Sequence, residues 1–145
     1  MSYDNAEWHY GGDYPDDLPP ENGGTHIGIF LAWCIANGLL GEMHGKDSAE
    51  AVAAVKGRTK TGREFLFEVC DESFTDQDLS DTGNAFAKWY YDGGDDGDGL
   101  YMEDYQATLC RGLASMYHVP DTWASYDTMA PVIARRFAAW KTRTP

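Results

Sequence analysis

The stretch Thr25–Leu40, THIGIFLAWCIANGLL, constrains the fold of this chain more than any other. Only Thr25, His26 and Asn37 in it are strongly polar. A surface helix carries an apolar stripe on one side, whereas a helix that is apolar all round must be covered on every side. The stretch is sixteen residues long, short of the roughly 20 that a membrane span needs. It therefore reads as the central, buried helix of a soluble domain. Thr25 stands in the N-cap position and Gly38 or Gly41 near the end.

The remaining chain has to supply the cover. At 145 residues it is long enough for one domain, 1–145, with a core of its own. Residues 1–24, MSYDNAEWHYGGDYPDDLPPENGG, show no helical period and read as an irregular leader. Tyr3, Trp8, Tyr10 and Tyr14 argue that it packs across the helices through its rings. Asp47 and Glu50 have capping-box spacing ahead of an Ala-rich helix from about Ser48 to Lys56. Thr61 and Glu64 repeat that spacing in TGREFLFEVCDES, where alternation also fits a strand; helix is preferred because the neighbours are helical. Thr75 with Asp78 opens a helix that places Leu79, Thr82, Gly83, Phe86 and Tyr90 on one face, and DGGDDGDG, from Asp92 to Gly99, breaks it. Tyr101 to Tyr117 carries an apolar stripe of period 3.6. A last helix starts near Asp127, with Pro131 in its first turn and Met129, Val132, Ile133, Phe137 and Trp140 on its buried face. The expectation is an all-α, single-domain bundle of about six helices around the 25–40 helix.

Charge narrows the function. The net charge is -13 and the isoelectric point about 4.4, which disfavours nucleic acid and anionic membranes and favours a basic partner. A solvated acidic surface accounts for the same charge. Cys34, Cys70 and Cys110 are widely spaced, without a CxxC pair, and lie in apolar contexts, which fits a reducing compartment. No basic or apolar signal segment opens the chain, so the cytoplasm is expected.

Catalytic motifs are lacking: no P-loop, no GxGxxG, no GxSxG and no HExxH. The loop Asp92–Glu103 resembles a calcium-binding EF-hand loop at Asp92, Asp96, Gly97, Asp98 and Glu103, but Gly94 stands where a ligand is needed. His9, Asp13, Asp16, Asp17 and His26 form a second group; such sets bind divalent metals or act as acid and base, or simply tie a leader to a helix. His9, His26 and Asp13 are the metal candidates, and no cofactor is expected.

The segments YDNAEWHYGGDYPDDLP, THIGIFLAWCIANGLL, TGREFLFEVCD, DLSDTGNAFAKWYY and YHVPDTWASYD resemble a family of small bacterial proteins of unknown function whose members carry YDxAxWHxGGDFPxDLP and THIGxFLAW. The resemblance spans nearly the whole chain. It implies a bacterial cytosolic domain and supplies no catalytic residues. By analogy, small acidic stand-alone domains of this kind are similar to immunity proteins encoded beside toxins.

The leading expectation is therefore a binding protein, an immunity-type inhibitor that docks an acidic, aromatic face on a cognate basic protein toxin. Its expected contacts are Asp92, Asp95, Asp96, Asp98, Tyr90 and Tyr91. The alternative is a metal-dependent enzyme or metal-binding protein that uses His9, His26 and nearby carboxylates.

Overall fold

In the computed structural model, which describes residues 2–12, 14–92 and 99–143, the apolar stretch is helical from Thr25 to Ala36. Every side chain from Thr25 to Ile35 is buried. The helix ends four residues before Leu40 because Gly38 takes a left-handed conformation (φ 69°). There the Leu39 amide returns to the Cys34 carbonyl at 3.0 Å, a glycine-dependent helix stop. At the other end Gly24 is the N-cap and Thr25 the first helical residue; the Thr25 hydroxyl instead accepts from Arg63 Nη1 at 3.3 Å.

The described residues form eight α-helices and two short strands. In chain order these are β1 (Ser2–Asn5), α1 (Ala6–Tyr10), α2 (Thr25–Ala36), α3 (Glu42–Asp47), α4 (Ala49–Lys56), α5 (Gly62–Glu68), β2 (Ser73–Thr75), α6 (Asp81–Ala87), α7 (Tyr101–Leu109) and α8 (Trp123–Arg143). The all-α expectation holds. The helices are more numerous than expected and most are shorter, because turns interrupt them. Tyr101 to Tyr117 is not one helix: α7 stops at Leu109, Gly112 turns left-handed at φ 78°, and Ser115 caps a separate 3-10 turn, Met116–His118. The capping box of Thr75 and Asp78 opens only the 3-10 turn Asp76–Asp78, while Ser80 caps α6 through the Gly83 amide at 3.2 Å. Asp47 caps nothing, since it is the last residue of α3. The final helix begins at Trp123, ahead of Asp127, so Pro131 lies inside it. Thr122 starts it by accepting from the Ser125 amide at 3.2 Å.

The leader is where the expectation fails. It is not irregular throughout: β1 pairs antiparallel with β2, matching Asp4 with Phe74 and Asn5 with Ser73. Asn5 then caps α1 by accepting from the Glu7 amide at 2.8 Å, and Pro20–Gly24 forms a 3-10 turn that runs into α2. A four-residue strand has no readable period, and its partner lies far along the chain.

The closest contact in the core is between α2 and α5. A Cβ on Gly62 would lie 1.8 Å from the Gly28 carbonyl oxygen, and one on Gly28 would lie 2.3 Å from the Arg63 amide nitrogen. The two backbones touch with no side chain between them. The capping box of Thr61 sets the start of α5. Thr61 Oγ1 accepts from the Glu64 amide at 3.2 Å, and Glu64 Oε1 accepts from the Thr61 amide at 2.9 Å. The same hydroxyl donates to Asp121 at 2.8 Å. Thr61→Ala is expected to lower stability by about 1–2 kcal/mol, the loss typical of an N-cap; denaturant unfolding with no change in midpoint would contradict this.

The opposite side of α2 meets an aromatic layer. Phe30 packs 5.1 Å from the Tyr91 ring and 5.3 Å from Tyr101, Phe86 stacks on Tyr90 at 5.2 Å, and Tyr91 stacks on Tyr101 at 4.9 Å. Tyr90 also donates to Asp104 at 2.6 Å, and Arg136 of α8 holds the same carboxylate with two bonds of 2.8 and 3.0 Å. Met129 and Ile133 of α8 are fully buried, with Val132, Phe137 and Trp140 partly so, as expected of that face. No helix among the described residues is long and apolar enough to cross a membrane.

Candidate functional site

β1, α1 and the first turn of α2 bring a set of titratable groups into one buried place. Asp4 of β1 is its centre. One carboxylate oxygen, Oδ1, accepts from His9 Nε2 at 2.8 Å and from the Asn5 amide at 2.8 Å. The other, Oδ2, accepts from His26 Nε2 at 2.9 Å and from the Tyr91 hydroxyl at 2.5 Å. Four donors thus meet four acceptor directions, which is full satisfaction for a carboxylate. Local structure explains the placement. The β1–β2 pairing holds Asp4, the Asn5 cap turns the chain into α1 so that His9 folds back over Asp4, and His26 comes up from the buried first turn of α2. The two imidazole rings meet edge to face at 4.5 Å between centroids.

The surroundings fix the rings further. His9 Nδ1 pairs with the Tyr117 hydroxyl at 2.7 Å. Asn22 holds the Tyr117 carbonyl at 2.8 Å, and Tyr14 packs on the Tyr117 ring at 5.0 Å. The Tyr101 hydroxyl donates to the His26 carbonyl at 2.5 Å. His26 Nδ1 and the Tyr105 hydroxyl are buried and have no hydrogen-bond partner among the described residues; their rings lie 6.0 Å apart. The His26 side chain is 1% exposed and that of His9 17%, so the cluster meets solvent on the His9 side.

Charge follows from this geometry. Burial alone would raise the Asp4 pKa, but the bonds from His26 and His9 outweigh it and hold the carboxyl well below the usual range. For His26 the balance runs the other way: burial lowers the pKa against the opposing pull of Asp4. His26 is therefore neutral at pH 7, donates through Nε2 and keeps a bare lone pair at Nδ1. The Tyr91 hydroxyl is pushed far up by burial and by Asp4, and that of Tyr117 is raised by burial and by Asp4. Both are proton donors and not phenolates.

His9 and His26, two of the sequence candidates, are thus brought together. Asp13, the third, lies outside the described residues. Asp16 is exposed, and Asp17 is exposed and pairs with His118 at 3.0 Å, so neither joins the cluster. The carboxylate that does is Asp4, and with Tyr91 and Tyr117 it was not foreseen; the only local hint was an acid beside Tyr3 in a leader rich in rings. Of the residues expected to contact a partner, Asp95, Asp96 and Asp98 lie outside the described residues and Asp92 is exposed. Tyr90 and Tyr91 correct the expectation. Their side chains are 0% and 8% exposed, turned inward by the π-helical turn Lys88–Asp92, and neither presents a ring to a docking protein. Half of the EF-hand-like loop, residues 93–98, falls outside the described residues.

Fold and site together define a small helical protein in which a leader closes a His–Asp–His cluster onto a buried central helix. The chain belongs to the family described as "Domain of unknown function (DUF7832)", whose profile matches residues 2–119 and ends before α8. No curated protein and no solved structure matches the chain.

Proposed function

We propose that this protein binds a divalent first-row transition-metal ion through Asp4, His9 and His26. The observation that carries the reading is the convergence of two imidazole Nε2 atoms on the two oxygens of one buried carboxylate, at 2.8 and 2.9 Å. Two imidazoles and a carboxylate suit zinc or iron(II) better than calcium or magnesium, which want oxygen alone. To ligate, each ring frees Nε2 and carries its proton on Nδ1. For His9 that proton faces the Tyr117 hydroxyl, the outer hydrogen bond that orients metal-binding histidines. The His9 side chain is 17% exposed, so solvent reaches the ion from that side; an ion position open to water separates reactive sites from purely structural ones.

Calorimetric titration with zinc or iron(II) is the test. The His9→Ala/His26→Ala double variant is expected to bind one equivalent fewer than the parent chain. Tyr117→Phe is expected to retain that equivalent with about 10- to 100-fold weaker affinity, the usual effect of losing an outer-shell partner. Equal stoichiometry in the parent and a folded double variant removes the reading.

The net charge of -13 favours a second reading, the immunity-type inhibitor of a basic protein toxin. On this reading Asp92, Asp95, Asp96 and Asp98 dock on the partner by charge, and the buried Tyr90 and Tyr91 only support them from inside. Affinity capture from source cells at low salt is expected to recover a basic protein whose binding weakens steeply as salt rises. Capture that is indifferent to salt would rule the acidic surface out as the contact.

A further inference from the structure

Apart from the Asp4 cluster, three more ligand-type side chains meet from three separate elements. His44 belongs to α3, Cys70 follows the C-terminus of α5, and Asp78 ends the 3-10 turn Asp76–Asp78. His44 and Asp78 are buried and Cys70 is half-buried. They converge on one atom: Asp78 Oδ1 lies 2.7 Å from His44 Nε2 and 3.6 Å from Cys70 Sγ.

Asp78 and His44 are each held by something other than this convergence. Asp78 Oδ2 accepts from the Thr75 amide at 2.8 Å, and the Asp78 carbonyl accepts from the Gly41 amide at 2.9 Å. Only Oδ1 is left for the shared point. The outer nitrogen of His44, Nδ1, faces Ser48 Oγ at 3.2 Å, and the imidazole packs on the Phe65 ring at 5.2 Å. This is a preset constellation of one thiol, one imidazole and one carboxylate oxygen, with an oxygen partner already behind the imidazole.

We propose that His44, Cys70 and Asp78 form a zinc site, separate from the Asp4 cluster, that joins α3 to the C-terminal end of α5 and to the 76–78 turn. The donor chemistry selects the ion. A thiolate with an imidazole suits zinc and excludes calcium and magnesium. The geometry is close to what zinc requires. Bonds of about 2.3 Å to sulfur and about 2.0–2.1 Å to nitrogen and oxygen, set at tetrahedral angles, place sulfur about 3.5 Å and nitrogen about 3.3 Å from the carboxylate oxygen. The observed sulfur–oxygen separation of 3.6 Å matches. The His44–Asp78 pair opens by about 0.6 Å to admit the ion at those bond lengths, a shift within reach of a rotation of the His44 ring. The half-buried Cys70 side offers the fourth position to water.

Protons balance as follows. Without metal, the Cys70 S–H and the His44 Nε2–H both donate to Asp78 Oδ1. When zinc binds, the imidazole proton is taken up on Nδ1, facing Ser48, and the thiol proton leaves to solvent. One proton is released per ion, and the Asp78 carboxylate with the Cys70 thiolate neutralises the 2+ charge. Because binding releases a proton, occupancy falls as pH falls.

Cobalt(II) titration of the full-length chain tests this, because thiolate ligation gives a near-ultraviolet sulfur-to-cobalt charge-transfer band that the sulfur-free Asp4 cluster cannot produce. The band is expected to saturate at one equivalent in His9→Ala/His26→Ala, to appear also in the parent and in Cys110→Ser, and to vanish in Cys70→Ser. Absence of the band, or its survival in Cys70→Ser, overturns the proposal. A readout that needs no variant is alkylation of Cys70, followed by mass spectrometry. Zinc is expected to slow it at least about 10-fold, since the bound thiolate is no longer free to attack; an unchanged rate overturns the proposal as well. Neither readout depends on whether the Asp4 cluster holds a metal.

Discussion

Gly62→Ala is expected to be among the most destabilising single substitutions in this protein, at about 3 kcal/mol or more. The added methyl would lie 1.8 Å from the Gly28 carbonyl oxygen and 2.6 Å from its carbonyl carbon. Those atoms belong to the backbone of α2 within its buried stretch Thr25–Ile35, so no flexible side-chain end can move aside. Relief requires α2 and α5 to separate, and that would open the core along its tightest contact. Overpacking usually costs about 1–3 kcal/mol where side chains can yield; here they cannot. Gly28→Ala is expected to behave alike, with its methyl 2.3 Å from the Arg63 amide nitrogen. Gly45 is the control: it lies inside α3, and a Cβ there meets nothing within 4 Å. Gly45→Ala is expected to be neutral or to stabilise by about 0.5–1 kcal/mol through helix propensity. Urea unfolding of the three variants checks the contrast, and a Gly62→Ala protein as stable as Gly45→Ala would contradict the backbone crossing.

Asp4→Asn is the second large effect expected, a loss of about 3–5 kcal/mol. The carboxylate accepts from His9, His26, Tyr91 and the Asn5 amide at once. An amide keeps one acceptor oxygen and turns an NH2 group toward two of those donors, so buried donors lose their partner and the low-dielectric penalty applies. Asp17→Asn, which removes the charge of the exposed pair with His118, is expected to leave stability almost unchanged.

Acid should act through the same cluster, in two stages. The His26 pKa is lowered in the folded state by burial, with Asp4 opposing. Below about pH 6.5, the ordinary histidine value, the unfolded chain therefore takes up a proton that the folded chain refuses. Stability is complete above that pH and falls as pH drops. The Asp4 pKa is also depressed, burial being outweighed by His26 and His9. Its contribution is complete above about pH 4, the ordinary aspartate value, and fades below it. Both groups move stability in the same direction, since stability rises with pH wherever the unfolded state binds more protons. Unfolding free energies at pH 7, 6, 5 and 4 in the parent and in His26→Gln check the assignment. The parent is expected to lose stability across pH 7 to 5 and the variant to lose less; identical slopes would mean that His26 is not the neutral group.

Residues whose neighbours in sequence are also their neighbours in space were readable in advance. The unbroken apolar run marked α2 as buried on all sides because no polar face exists to leave in water. Thr61 and Glu64 announced the start of α5 because both halves of a capping box lie within four residues. Met129, Val132, Ile133, Phe137 and Trp140 marked the inner face of α8 because the helical period puts them there. The junction of His26 with the leader was legible for the same reason, since His26 sits where α2 begins.

What depended on distant partners was not readable. β1 exists because β2 pairs with it, and no period in four residues can say so. Asp4 therefore looked like one leader acid among many, although it is the acceptor on which two histidines and a tyrosine converge. Tyr90 and Tyr91 looked like surface rings beside an acidic loop until a π-turn aimed them at Phe30, Phe86 and Tyr101. Asp78 read as the capping-box partner of Thr75, and nothing local said that its other oxygen is buried against His44 and Cys70. By itself the sequence determined an acidic, helical domain built around one apolar helix, because local patterning and hydrophobic burial suffice for that. Only the tertiary structure decided which acids face inward, because a buried carboxylate is selected by the donors that meet it, and those donors come from chain segments far apart in sequence.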